Sequence, residues 1–328
     1  MKAVIMAGGL GTRLRPLTNS VPKHVLPVAG RPMIEYVISS MVKGGFDDII
    51  LTTGYIYDKI VNVVGDATQY GARAFYSIES KRLGTAGSVK RAESLLDSTF
   101  VVGSGDVLAD VDIKELYDFH KKKGAMATMA LTSVDNPTEY GIVGLDDDSR
   151  IVRFKEKPKE EEVFSNLINA GIYILEPEVL RHVPPEIMFD FSKNLFPILL
   201  EEGVLYGKPI TGLWRDVGRP LDLIGANKDM VERLGGRIID GKMDGRAEGT
   251  VFIAEGAEVE NGAALRNAFI YPGAVIGKGA VVENSVVLDG SIVGDASRIR
   301  NSIIPWKSIV YPGSVVEDTV LEGRGIGE

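Results

Sequence analysis

The chain has no cysteine among its 328 residues and only three histidines, His24, His120 and His182. The first absence excludes disulfides, thiolate nucleophiles and cysteine-based zinc sites, and the second leaves scarcely any imidazole chemistry. Any metal must therefore sit on carboxylates. No apolar run approaches the roughly 18 residues that a membrane helix needs. The stretch from Lys2 to Ala7 is too short for a secretory leader before Gly8-Gly9, so a soluble, cytoplasmic protein without a membrane partner is expected. The net charge of −8 is not offset by a basic half, which argues against a nucleic-acid partner. What is present is ordinary for a folded protein: 45% hydrophobic and 25% charged residues, in a chain long enough for about two domains.

Glycine becomes denser after residue 234, where helical periodicity also disappears, and Leu234-Gly235-Gly236 through Gly249 reads as a linker. The expected division is a first domain over 1–234, a linker over 235–250 and a repeat domain over 251–328. Before the break, strand and helix signals alternate. Lys2–Met6 is a short apolar strand, Ile34, Val37, Ile38 and Met41 form a helical stripe, and 49–53, 73–78 and 100–103 read as further strands. This order predicts an α/β fold with a mainly parallel, Rossmann-like sheet and ligands at the carboxyl ends of its strands. After the break the period is six. Ile253, Val259 and Leu265 begin one run, Ile270, Ile276, Val282 and Leu288 the next, then Val293 and Ile299, then Ile304, Val310 and Val316. Partners four residues on include Ala257, Ala274, Val286 and Ile292, and the pattern predicts a parallel β-helix of four coils, each burying its aliphatic side on the next.

The first strand runs into Gly8-Gly9-Leu10-Gly11-Thr12-Arg13-Leu14-Arg15-Pro16-Leu17. No Gly-Lys-Ser/Thr follows, so it is not a Walker loop. Leu14 stands where a dinucleotide fingerprint needs its third glycine, so a dehydrogenase is excluded as well. A backbone that approaches phosphates closely, with two guanidiniums on the same loop, suits a triphosphate. Asp106 ends the apolar strand Val101-Val102-Gly103-Ser104-Gly105-Asp106, a position that also suits a turn former or helix cap.

With Ser20-Val21-Pro22-Lys23-His24-Val25-Leu26-Pro27-Val28, the glycine-rich loop resembles the signature of the sugar-1-phosphate nucleotidyltransferases, the nucleotide-sugar pyrophosphorylases. The resemblance continues through Leu83-Gly84-Thr85-Ala86-Gly87, Gly105-Asp106, Glu139-Tyr140-Gly141, Glu156-Lys157-Pro158, Asn169-Ala170-Gly171-Ile172-Tyr173 and Trp214-Arg215-Asp216-Val217-Gly218. A tail of hexapeptide repeats, wound as a left-handed β-helix, is also a habit of that family. The implied reaction is attack by a sugar-phosphate oxygen on the α-phosphorus of a nucleoside triphosphate, with pyrophosphate leaving. The nucleophile is already ionised, so the work is to hold two anions in line and neutralise the leaving group.

The resemblance implies roles for particular residues. Ala7, Gly8, Gly9, Gly11, Thr12 and Arg13 would bind the triphosphate, Lys23 would lie at the α-phosphate, and Asp106 and Asp216 would hold Mg²⁺. Lys157 would meet the sugar phosphate, although Lys155, Lys157 and Lys159 also read as a solvated alternating face. Gly141, Glu156 and Asn169 would read sugar hydroxyls. Leu83, Gly84 and Thr85 would rim the base, with Thr85 alternatively capping the following helix. GTP with mannose 1-phosphate is the expected pair, the alternatives being glucose 1-phosphate with UTP or dTTP, and a non-catalytic regulatory subunit of the same fold. No histidine follows His182, so the β-helix is expected to serve structure or homo-oligomer assembly and not acetyl transfer.

Overall fold

In the computed structural model, residues 1–109 and 111–322 are described. They form two compact units. The first comprises Met1–Leu10 and Met33–Trp214, and the second joins Gly11–Pro32 to the chain from Arg215 onward.

The first unit is built on a nine-stranded sheet of β1 (Lys2–Met6), β2 (Asp48–Thr53), β3 (Arg73–Ile78), β4 (Phe100–Ser104), β5 (Ala127–Ser133), β6 (Gly141–Leu145), β7 (Ile151–Glu156), β8 (Leu167–Leu175) and β9 (Leu205–Pro209). Its order is β7-β6-β8-β4-β1-β2-β3, with β5 pairing β8 and β9. Helices α1 (Met33–Lys43), α2 (Tyr57–Val64) and α3 (Gly84–Arg91) connect the first four strands, with α4 (Ile113–Lys123) and α5 (Phe196–Glu201) further along. Strands β4, β1, β2 and β3 are parallel, as strands alternating with helices require. The second half departs from the mainly parallel expectation, because β8 runs antiparallel to β4, β5 and β6, and β7 antiparallel to β6. Ala3, Val4 and Ile5 are wholly buried, so both faces of β1 are covered. Helix α1 buries Ile34, Val37, Ile38 and Met41 along one stripe and stops where Gly45 takes a φ of +85°.

His120 belongs to this unit's interior. Its Nδ1 lies 2.9 Å from Thr128 Oγ1 and its Nε2 3.2 Å from Glu176 Oε1. Burial holds its pKa below the ordinary value, so this imidazole is a satisfied core group.

The second unit contains α6 (Pro220–Arg233) and a stack of parallel coils. Ile253, Ile270, Val287 and Ile304 lie in register, as do Val259, Ile276, Val293 and Val310, and Leu265, Val282, Ile299 and Val316. Equivalent positions recur every 17 residues, as in the ladder from Asn267 Nδ2 to Asn284 Oδ1 at 2.9 Å and from Asn284 to Asn301 at 3.3 Å. A coil thus has two spacings of six and one of five. This corrects the sequence reading at one place, where Val287 replaces Leu288 in the core column and Ser291 replaces Ile292. Ser291 is fully buried, whereas Ile292 is 44% exposed.

A second correction concerns 235–250. These residues are not a linker: Arg237–Ile239 pairs with 251–253, Lys242–Met243 with 258–259, and the strand Arg246–Ile253 begins there. The glycines serve close approach. A Cβ on Gly241 would lie 2.5 Å from the Ala254 carbonyl oxygen and 2.6 Å from that of Ala257, and one on Gly245 would lie 2.5 Å from that of Ala263. Among the described residues, no helix is long and apolar enough to cross a membrane.

The two readings of 235–250 predict opposite effects of Gly241→Ala. In a flexible linker this change is neutral or slightly stabilising, because it stiffens the unfolded chain. Against the neighbouring coil it overpacks, and we expect a loss of about 1–3 kcal/mol in denaturant unfolding.

Candidate active site

In the second unit, the chain turns at Gly11, in the left-handed region at φ +59°, into a short 3₁₀ turn over Thr12–Leu14. Thr18 Oγ1 donates to the Gly11 carbonyl at 2.7 Å, closing the loop on itself. A Cβ on Gly11 would lie 3.3 Å from Lys23 Cβ, which places Lys23 beside the glycine turn. A Cβ on Gly218 would lie 3.1 Å from an Arg13 guanidinium nitrogen and 3.4 Å from Asp216 Oδ2. Two cationic side chains and one carboxylate therefore converge at this turn. Asp222, in the first turn of α6, fixes it by accepting from the N–H groups of Gly218 at 3.2 Å and Arg219 at 2.7 Å. Arg215 is held against α6 by Asp229 at 2.6 Å.

Burial lowers the Lys23 pKa to about 8; Asp216 opposes that shift and Arg13 adds to it. Its neighbour His24 is wholly buried and its pKa is pushed well below the usual imidazole value by burial and by Lys23, so His24 is neutral.

The first unit carries the other motifs. After β1, Ala7 is buried and its N–H donates to Thr52 O at 2.8 Å, whereas Gly8 and Gly9 are exposed. Nothing lies within 4 Å of where a Gly8 Cβ would be, so a ligand has room against the backbone. Asp106 accepts from Ser104 Oγ at 2.5 Å. Gly141 is a matter of space: a Cβ there would meet Glu156 Oε2 and Phe154 Cζ, each at 2.8 Å. Burial raises the Glu156 pKa, opposed by Lys157, a Ser192 hydrogen bond and Lys193.

Lys157 follows the end of β7 in a left-handed conformation, φ +46°, with its N–H on the Tyr140 carbonyl at 2.9 Å. The backbone turn breaks the alternation of Lys155, Lys157 and Lys159, and Lys155 pairs with Glu162 at 3.0 Å. Asn169 spans a bulge in β8. Its Oδ1 accepts from Gly171 N–H at 2.9 Å and its Nδ2 donates to the Tyr173 hydroxyl at 3.1 Å.

The proposed base rim is tied to the segment Phe189–Lys193. Leu83 is buried and its carbonyl accepts from Phe189 N–H at 2.8 Å. Thr85 N–H donates to Asp190 Oδ1 at 3.0 Å, and Thr85 Oγ1 accepts from Phe191 N–H at 2.9 Å. The Thr85 hydroxyl is thus engaged in holding the loop, and the Leu83 side chain packs inside the protein. Gly84, at φ +73°, is required because a Cβ would lie 2.7 Å from the Phe189 carbonyl oxygen. Phe191–Leu195 forms a π-helical turn, a feature often found at functional sites, and it brings Ser192 and Lys193 to Glu156. Polar Asp190, Ser192, Lys193 and Asn194 within an apolar stretch were the available signal.

Asp106 in the first unit and Asp216 in the second each offer hard carboxylate oxygen, the donor type that suits Mg²⁺. Among the described residues, no group of three or more His, Cys, Asp or Glu could enclose a metal.

The depressed Lys23 pKa has a defined sign. Between about pH 8 and 10.5 this amine is neutral in the folded protein but charged in an ordinary lysine. Acylation of Lys23, followed by peptide mass spectrometry across pH, is expected to reach half its limiting rate near pH 8, and a midpoint near 10.5 would contradict the burial.

Comparison with known proteins places these features. A nucleotidyl transferase family model matches residues 2–233, and a GMPPB C-terminal domain model matches 247–326. The chain is 42% identical over 233 residues to mannose-1-phosphate guanyltransferase of Aspergillus oryzae, covering 68% of this chain and 62% of that protein. It is 35% identical over 248 residues to UTP–glucose-1-phosphate uridylyltransferase of Synechocystis, covering 71% and 64%. These matches span less than two thirds of the relatives' length. A Bacillus anthracis crystal structure containing sucrose, provisionally named glucose-1-phosphate thymidylyltransferase, superposes with a TM-score of 0.65 at 28% identity, covering 74% of this chain and 98% of that one. With its glycine loop, clustered cations and the family match over residues 2–233, the chain belongs to the nucleotidyl transferase family.

Proposed function

We propose that the protein transfers a nucleotidyl group from a nucleoside triphosphate to a sugar 1-phosphate, and that its pair is GTP with mannose 1-phosphate. The observation that carries this reading is the convergence of Arg13, Lys23 and Asp216 at the Gly218 turn, an arrangement suited to a polyphosphate. In the reaction a phosphate oxygen of the sugar forms a bond to the α-phosphorus while the bond from that phosphorus to the bridging oxygen of pyrophosphate breaks. No proton is abstracted, which suits a chain whose His24 and His120 are buried.

Arg13 and Lys23 neutralise charge as pyrophosphate departs, and Lys23 does so as a cation, below about pH 8. Glu156 faces the sugar hydroxyls, with Gly141 leaving room for its carboxylate. Asp106 and Asp216 would hold Mg²⁺, which when bound supplies further charge neutralisation on phosphate. A cytoplasmic homo-oligomer is part of the same proposal.

The 42% identity to the Aspergillus guanyltransferase favours guanine and mannose, whereas the uridylyl and provisional thymidylyl relatives favour glucose 1-phosphate. With Thr85 engaged by the 189–191 segment, base selection is not assigned to its hydroxyl.

Two measurements test the proposal. In a matrix of nucleoside triphosphates against sugar 1-phosphates scored by pyrophosphate release, GTP with mannose 1-phosphate is expected to give the highest kcat/KM. A higher value for UTP or dTTP with glucose 1-phosphate overturns the guanylyl assignment, and no release with any pair overturns the class. Asp106→Asn and Asp216→Asn are each expected to cut turnover by about 100-fold or more while leaving thermal unfolding little changed. Near-normal turnover would remove these residues from the reaction.

A further inference from the structure

The sequence reading treats the β-helix as an appendage, but the Lys23 loop belongs to the same compact unit as the coils. The link is Asn227, on α6 and fully buried. Its Oδ1 accepts from Ala29 N–H at 3.0 Å and from the Tyr271 hydroxyl at 2.7 Å. Its Nδ2 donates to Leu223 O at 2.9 Å and, at 3.4 Å, to Pro27 O. All four hydrogen-bonding capacities of the amide are met, and Ala29 N–H, a donor only, fixes which end is oxygen. Ala29 needs this support, since it holds φ +46° at the tight turn between Pro27–Val28 and Arg31–Pro32. The next residue, Gly30, packs on a β-helix side chain, where a Cβ would lie 2.9 Å from Phe252 Cζ. Phe252 packs in turn on Tyr271, the ring centroids 5.3 Å apart. Lys23 lies four residues before Pro27, and its carbonyl accepts from Leu26 N–H at 3.1 Å.

We propose that Tyr271 and Phe252 of the β-helix, acting through Asn227 and Gly30, are positioning residues for Lys23, so that the repeat domain is a working part of the phosphate site. The proposal rests on the nucleotidyl-transfer reading for its kinetic consequence, but the placement of Lys23 is measurable without any substrate. Neither residue touches a reacting atom. Their role is to fix the backbone from which Lys23 projects, and an error of about 1 Å in such placement can cost about 100-fold in rate.

The test uses Tyr271→Phe in the full chain, which removes one hydroxyl and keeps the ring. Phe252→Leu is the second variant, and Val310→Ala is the control. Val310 sits in the coil core away from this contact, so its truncation lowers stability without touching the loop. Lys23 reactivity is read by acylation and peptide mass spectrometry at pH 7. On the same samples kcat and KM are measured with the best substrate pair.

Loss of one neutral hydrogen bond is expected to change the Lys23 acylation rate about threefold to tenfold in Tyr271→Phe, since access and the neutral-amine fraction both depend on its placement, and to lower kcat by a similar factor, with KM little changed. Phe252→Leu is expected to act in the same direction, whereas Val310→Ala moves only the unfolding temperature. Wild-type reactivity of Lys23 in both Tyr271→Phe and Phe252→Leu overturns the proposal, as does an equal change in Val310→Ala. If wild type releases no pyrophosphate with any pair, the functional reading fails, while the acylation arm still decides whether the β-helix positions Lys23.

Discussion

A carboxamide sealed from water has to find partners for two donors and two lone pairs, and Asn227 finds all four in three different stretches of chain. One is its own helix, one is the turn after the Lys23 loop, and one is Tyr271 of the coils. Because each unmet polar group in such a place costs on the order of 1–3 kcal/mol, these elements are ordered together or not at all. Arg13, Lys23 and Asp216 all project from chain that this unit contains.

The charge arrangement follows from the same packing. A lysine that keeps its ordinary pKa is a well-hydrated ion, whereas Lys23 is partly stripped of water and held near a pKa of about 8. An amine in that state gains more from a phosphate than a hydrated one does, because less solvent has to be displaced. Glu156 shows the opposite sign for the same reason. Burial raises its pKa, and Lys157, Ser192 and Lys193 offset part of the shift. Both shifts arise without a histidine beside the group.

The coils are set by a different constraint. Each flat rung buries one aliphatic side only if its neighbours repeat at the same register, and the 17-residue period keeps Ile253, Ile270, Val287 and Ile304 in one column. Asn267, Asn284, Asn301 and Asp318 share a second requirement, a left-handed backbone at the corner, and they bond to one another along the stack. Glycine has yet another use at 241 and 245, where the backbones approach too closely for a side chain.

Much of this was legible along the chain. Periods of 3.6 and six are local properties, so the strands from Lys2 to Thr53, the α1 stripe and the aliphatic columns followed from spacing, and the family motifs marked Arg13, Lys23, Gly141 and Glu156. The misreadings share a cause, since each depended on a neighbour far away in sequence. Gly-rich 235–250 looked flexible because the Ala254, Ala257 and Ala263 carbonyls that require those glycines lie outside it. Leu288 fitted a six-residue count that the next coil, through Ile304, shifts by one. Lys157 looked like a strand residue until its backbone turned to reach Tyr140, and Thr85 like a free hydroxyl until Asp190 and Phe191 arrived from 105 and 106 residues away. The sequence determined which residue types were available and the periods at which they repeat, because those are properties of adjacent residues. Only the tertiary structure decided that Asn227 and Tyr271 stand behind the Lys23 loop, because a buried amide is satisfied by whichever groups the fold brings within about 3 Å of it.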